Sequence, residues 1–139
     1  MNIAFFLLPK NECVCLTPDS TIRQALEKME FHRYSAVPLL DAEGKYVGTI
    51  TEGDLLWALK KTPELNFQTI EHIRLKDVPQ KMQNQPVEIN AQIEDLLTLA
   101  IAQNFIPVVD DQQHFIGMIR RREIIEYCST LMQSSAAIS

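Results

Sequence analysis

Val37-Pro38-Leu39-Leu40-Asp41, continued through Tyr46-Val47-Gly48-Thr49-Ile50 to Asp54-Leu55-Leu56, returns 69 positions later. The second copy reads Ile106-Pro107-Val108-Val109-Asp110, Phe115-Ile116-Gly117-Met118-Ile119 and Glu123-Ile124-Ile125. From Pro38 to Leu56 the copies align without a gap and share Pro38/Pro107, Asp41/Asp110, Gly48/Gly117 and Ile50/Ile119. A period of this length dictates the architecture. A unit that cannot cover its own apolar strands needs a partner, so the two copies are expected to pack as one pseudo-symmetric body. Any cleft between them then exists twice, with different residues in each.

Working outward, Asp19-Ser20-Thr21 offers helix caps, and Ile22, Ala25, Leu26 and Met29 follow at the spacing of one buried helical stripe. In the second copy Asn90 reads as the cap, and Ile93, Leu96, Leu97 and Ala100 repeat the stripe. These helices lie 71 residues apart and the strands 69, so the second copy is two residues shorter just before its proline. A hairpin of Ala36 to Leu40 and Tyr46 to Ile50 turns at Asp41-Ala42-Glu43-Gly44, where Gly44 supplies the positive φ such turns need. The second hairpin, Ile106 to Val109 and Phe115 to Ile119, has Gln113 in that place. Each hairpin leads into a second helix, with Leu55, Leu56 and Leu59, or Ile124, Ile125 and Cys128, as its apolar side. The fold class is mixed α/β (α+β), each copy a small sheet with two helices.

Three segments complete the layout. Residues 1–62 hold an N-terminal extended arm and the first copy. Residues 63–133 hold a connecting segment and the second copy, and 134–139 form a frayed tail. The Ile3 to Leu8 run reads as a strand or extended arm buried against one copy or a second subunit. It is too short for a membrane span and lacks the basic region of a signal peptide. In the segment Thr62 to Met82, Phe67, Ile70, Ile73 and Leu75 suggest a short packed helix.

The chain has 139 residues, 46% hydrophobic and 22% charged, with a net charge of -5. At this size one continuous core is feasible, with roughly 68% of the unfolded surface buried. The acidic balance argues against nucleic acid as a partner, which requires a broad basic face. No membrane partner is read, and the cytoplasm is the expected location. Cys13, Cys15 and Cys128 are odd in number and lack paired spacing, so they read as small apolar residues. Cys13 and Cys15 would share a face on a strand. A zinc site from them and His32, His72 or His114 is the weaker alternative, because no two histidines have ligand spacing.

The order and spacing of these parts carry a resemblance. The run Ala36-Val37-Pro38-Leu39-Leu40-Asp41-Ala42-Glu43-Gly44-Lys45-Tyr46-Val47-Gly48-Thr49-Ile50-Thr51-Glu52-Gly53-Asp54, duplicated over nearly the whole chain, resembles the CBS domain. Two copies in tandem look like a CBS-domain pair of the stand-alone bacterial type. The resemblance implies a disk-like module whose two clefts bind an adenine-containing ligand such as AMP, ATP or cyclic di-AMP, with no obligatory cofactor. It also implies a regulatory rather than catalytic role, a homodimer, and an unknown regulated protein as partner.

By the same resemblance, Asp54 would accept hydrogen bonds from ribose hydroxyls and Thr51 would bind ribose or phosphate. A carboxylate can accept two hydroxyl protons at once, each charge-assisted bond contributing about 1.5–3 kcal/mol. Thr-x-x-Asp is equally close to a capping box that needs no ligand, and the roles are compatible. In the second copy these positions are Arg120, Arg121, Arg122 and Glu123. Three cations at a helix start oppose its dipole, which points either to a bound phosphate or to pairing with Glu123, Glu126 or Asp110. Tyr34, Ala36 and Val37, with Phe105 and Ile106, would line the clefts around an adenine ring, although core packing explains the apolar ones as well. Thr17 is a further lining residue carried over from the family. Trp57 faces a partner subunit or packs at the periphery.

An interaction scaffold, dimeric and ligand-independent with vestigial clefts, is the alternative to a nucleotide sensor. An enzyme is disfavoured, since the sequence shows no nucleophile elbow, P-loop, metal-ligand spacing or paired acid and base.

Overall fold

The computed structural model describes residues 2–81 and 83–138. Met1, Met82 and Ser139, which fall in the expected arm, connecting segment and tail, lie outside the described residues. The chain runs β1 (Leu8–Pro9), α1 (Ile22–His32), β2 (Ala36–Leu40), β3 (Tyr46–Thr51), α2 (Glu52–Lys61), β4 (Val87–Glu88), α3 (Ile93–Ala100), β5 (Phe105–Val109), β6 (Phe115–Arg120) and α4 (Arg121–Ile138). It divides into two compact units, Val14–Gln83 and Met1–Cys13 with Asn84–Ser139. This mixed α/β arrangement holds one copy of the repeat in each unit.

In the first unit, α1 opens with a reciprocal cap. Thr21 Oγ1 accepts from the Gln24 N–H at 3.1 Å and Gln24 Oε1 accepts from the Thr21 N–H at 2.9 Å, satisfying two donors the helix cannot. Its buried face, Ile22, Ala25 and Met29, meets Val37, Leu39 and Ile50 of the β2–β3 hairpin and Leu55 of α2. Leu16 adds a parallel bridge to Leu39. In the second unit the strand order is β1-β6-β5-β4, with β4 parallel to β5 and the other pairs antiparallel. Its core gathers Leu96, Ile106, Val108, Ile119 and Ile124.

The shared aspartate has a local cause. Asp41 Oδ1 accepts from the Glu43 and Lys45 N–H groups, and Asp110 Oδ1 accepts from Gln112 and His114, all at 2.9 Å. These bonds fold each hairpin turn by an Asx mechanism. The His114 N–H, more than the nearby imidazole, holds the Asp110 carboxyl below its ordinary range. Gly44 has φ 83° and Gln113 φ 70°, so the glutamine adopts the left-handed angle of the glycine it replaces.

Several elements differ from the sequence reading. The arm is a 3-10 turn over Ile3–Phe6 followed by the two residues of β1, and it packs with the second copy rather than the first. The short packed helix expected in the connecting segment is instead split into two 3-10 turns, Ile70–His72 and Leu75–Asp77. The segment's backbone is spent on the loop before α1: the Ile22 N–H donates to Ile73 O, and Leu75 and Lys76 donate to Ser20 O and Pro18 O. Ile70 and Leu75 are buried, but Phe67 is 78% exposed. Gln92, not Asn90, caps α3, because the Asp95 carboxylate reaches back to the Gln92 N–H at 3.1 Å. The two-residue gap falls after that helix, which is eight residues long against eleven in α1. Leu56 and Ile125, at matching positions of the two copies, are 59% and 57% exposed, because successive helical residues cannot share one buried face. Leu97 is exposed as well. The tail from Ser134 is helical through Ile138. Cys13 and Cys15 lie outside any strand.

The two shared glycines are tight for different reasons. A Cβ on Gly117 would overlap Leu8 O of β1 and lie 2.7 Å from Leu7 Cδ1, whereas on Gly48 it would meet only the flexible end of Gln80. Gly117→Ala is therefore expected to lower stability by about 1–3 kcal/mol in urea unfolding, with Gly48→Ala milder. Equal effects of the two substitutions would contradict the β1 contact.

Candidate functional site

The end of β3 turns into α2 at Thr51, whose backbone is extended (φ −117°, ψ 161°). Thr51 Oγ1 accepts from the Asp54 N–H at 3.1 Å, and Asp54 Oδ2 accepts from the Thr51 N–H at 3.0 Å. The cap foreseen in Thr-x-x-Asp is thus formed. Asp54 does more than cap, however. Its Oδ1 accepts from the Lys81 N–H at 3.1 Å, which ties the connecting segment to the start of α2, and the residue is only 4% exposed. Ionised, a buried carboxylate of this kind is held by two N–H dipoles and a helix N-terminus, and it has about four acceptor positions in all. Two of these are taken by the Thr51 and Lys81 N–H groups.

Thr51, Gly53, Asp54, Trp57 and Lys81 line a pocket of about 340 Å³. Ala36 stands opposite Thr51 in the β2–β3 register, which brings it to the same end of the hairpin. The other residues read from the sequence sit elsewhere or are otherwise engaged. Val37 is in the core. Tyr34 is exposed and stacks on His32, with centroids 5.4 Å apart and planes 11° apart. Thr17 is exposed, its N–H donating to Ser20 Oγ at 3.1 Å and its hydroxyl 3.2 Å from the same oxygen. Trp57 and Lys81 are the pocket residues that motif reading did not assign to it. Trp57 follows two leucines, and Lys81 lies 27 positions beyond Asp54 in a segment without a motif.

In the second copy the three arginines take three directions. Arg120 pairs with Glu123 at 2.6 Å and Arg122 with Glu126 at 3.4 Å. Arg121 turns to the start of β5, its Nε donating to Gln103 O at 2.8 Å and its N–H to Asn104 O at 3.0 Å. Asp110 takes His114 instead of an arginine. Phe105 and Ile106 are buried. Near them lies a polar cluster that patterning does not reveal: Gln103 bridges Gln85 and the Phe105 carbonyl, and the Asn84 amide donates to that carbonyl at 3.3 Å. Among the described residues no group of three His, Cys, Asp or Glu side chains is placed to hold a metal ion, and no helix is long and apolar enough to cross a membrane. The Cys13 thiol is pushed up to about 11, first by burial, against a backbone hydrogen bond from Met118 that lowers it.

The family model for the CBS domain matches residues 7–61 and again 75–130. The chain belongs to the CBS-domain family. Among curated relatives, inosine-5'-monophosphate dehydrogenase of Methanocaldococcus jannaschii is 29% identical over 117 residues, which is 83% of this chain and 21% of the enzyme. The CBS pair thus spans about a fifth of that relative. Among solved structures, CbpB of Listeria monocytogenes in complex with c-di-AMP superposes with a TM-score of 0.81 at 22% identity, covering 94% of this chain and 97% of that one. CBSX2 in complex with AMP gives 0.74 at 21% identity, covering 94% and 98%. These likenesses show the CBS-pair fold.

Asp54→Ala is expected to cost about 1–3 kcal/mol without any ligand, since it removes a cap and strands the Lys81 N–H. Hydrogen exchange at Lys81 would rise with it; an unchanged rate would mean the tether is not made. Cys13 is expected to react with iodoacetamide at pH 8 on the order of a hundredfold more slowly than an ordinary thiol, as read by mass spectrometry.

Proposed function

We propose that this CBS pair is a regulatory module that binds an adenine nucleotide and passes its occupancy to a partner protein. The observation that carries the reading is the Asp54 carboxylate, buried at the mouth of α2 with acceptor capacity to spare, beside the Thr51 hydroxyl. A ribose presents adjacent hydroxyl donors, and such a carboxylate is the acceptor they need. That solved CBS-pair proteins are described with c-di-AMP and with AMP supports the ligand class. In this reading Thr51, Asp54 and Ala36 form the first-copy site. Arg120, Arg121 and Arg122 would serve a second site by exchanging a carboxylate or carbonyl partner for phosphate. The module acts in the cytoplasm as a homodimer, with no catalytic step of its own. Leu56 and Ile125, each exposed on its own unit, support self-association, since exposed apolar side chains favour burial.

One observation favours a ligand-independent dimeric scaffold instead: every bond made by Thr51 and Asp54 already serves the cap or the tether. Thermal unfolding separates the readings. A nucleotide at about a hundred times its Kd adds about 2.7 kcal/mol and raises Tm by several degrees. If AMP, ADP, ATP, S-adenosylmethionine and cyclic di-AMP all leave Tm unmoved, the scaffold reading stands. Titrations of Asp54→Ala and Arg121→Ala then assign the response to one copy or the other.

A further inference from the structure

We infer that Lys81 is a phosphate-binding residue of the first-copy pocket, and that the site selects phosphorylated adenine nucleotides over adenosine and over cationic adenosyl compounds. This rests on the adenine-nucleotide reading above and names the chemistry that reading leaves open. One hydrogen bond and one aromatic contact fix where the lysine stands. Its N–H is held by Asp54 Oδ1, so its backbone lies one hydrogen bond from the carboxylate that would take the ribose. Its side chain lines the same pocket, with Nζ 6.0 Å from the centroid of Trp57.

Lys60 also approaches this ring, at 5.3 Å, but does not line the pocket. Among the described residues neither lysine has a carboxylate within ion-pair distance, although the chain carries five more acidic than basic side chains. Both lysines are exposed and hydrated, but neither is neutralised by a carboxylate, and two cations beside one ring repel. An anion at the pocket relieves both. A carboxylate and a hydroxyl for the sugar, an indole face, and a mobile ammonium within reach together fit a nucleoside bearing a phosphate. A neutral nucleoside makes no use of the ammonium, and a sulfonium is repelled by it.

Isothermal titration of the full chain with AMP and with adenosine tests this, using Lys81→Gln, which keeps the N–H that Asp54 holds, and Lys60→Gln as the control. The expected result is AMP bound at least tenfold more tightly than adenosine by the wild type, with AMP weakened about tenfold by Lys81→Gln. Adenosine should be unchanged by Lys81→Gln, and both ligands unchanged by Lys60→Gln. Retained AMP affinity in Lys81→Gln, or a parallel loss of AMP and adenosine, overturns the role of Lys81 while leaving the adenine-nucleotide reading in place. A wild type that binds no adenine compound overturns both.

Discussion

Each hairpin of this protein has two open edges, and a two-stranded ribbon with unpaired edges is unstable in water. The chain covers them in corresponding places in both units. On one edge a short segment before the first helix adds in parallel, Leu16 on Leu39 and Val87 on Val108. Against the other strand comes a segment from before the opposite copy. Leu8 and Pro9 pair with β6 at Met118 and Gly117, and Gln80 packs over Gly48 of β3. Each shared glycine leaves room for that covering element, Leu7 and Leu8 at Gly117 and Gln80 at Gly48.

The same exchange positions the candidate site. Because the segment around Lys81 is brought to the first-copy hairpin, its N–H reaches Asp54, and its side chain enters the pocket beside Trp57. The matching junction in the second copy is built differently: Glu123 pairs with Arg120, and Arg121 spends its guanidinium on the Gln103 carbonyl. Similar scaffolding thus supports one acceptor-rich pocket and one arginine-bearing helix start, and the inequality lies in the side chains at the strand-to-helix junction.

Much of this was legible in the sequence because it rests on local rules. The hairpins, the helix stripes, the Asx aspartates and the Thr51–Asp54 box are set by residues within a few positions of one another. What escaped reading was non-local or depended on competition for backbone donors. Phe67, Ile70 and Leu75 have helical spacing, yet Ile73 O and the Leu75 N–H are engaged by the loop before α1. The Lys81 tether spans 27 residues and leaves no pattern. Leu56 and Ile125 looked like core by hydrophobicity, and only the rotation of their helices shows that they are not.

The exchange of covering segments also sets an order of assembly. Val14–Gln83 is continuous in the chain, so during synthesis it is complete before residue 84 is added. The other unit is assembled from two pieces, and its arm waits on the order of a hundred residues for β6, a loop closure of the slow, high-contact-order kind. Val14–Gln83 needs no later residue to complete it, whereas Ile3, Phe6 and Leu7 meet the core of the second copy only after β6 has been made.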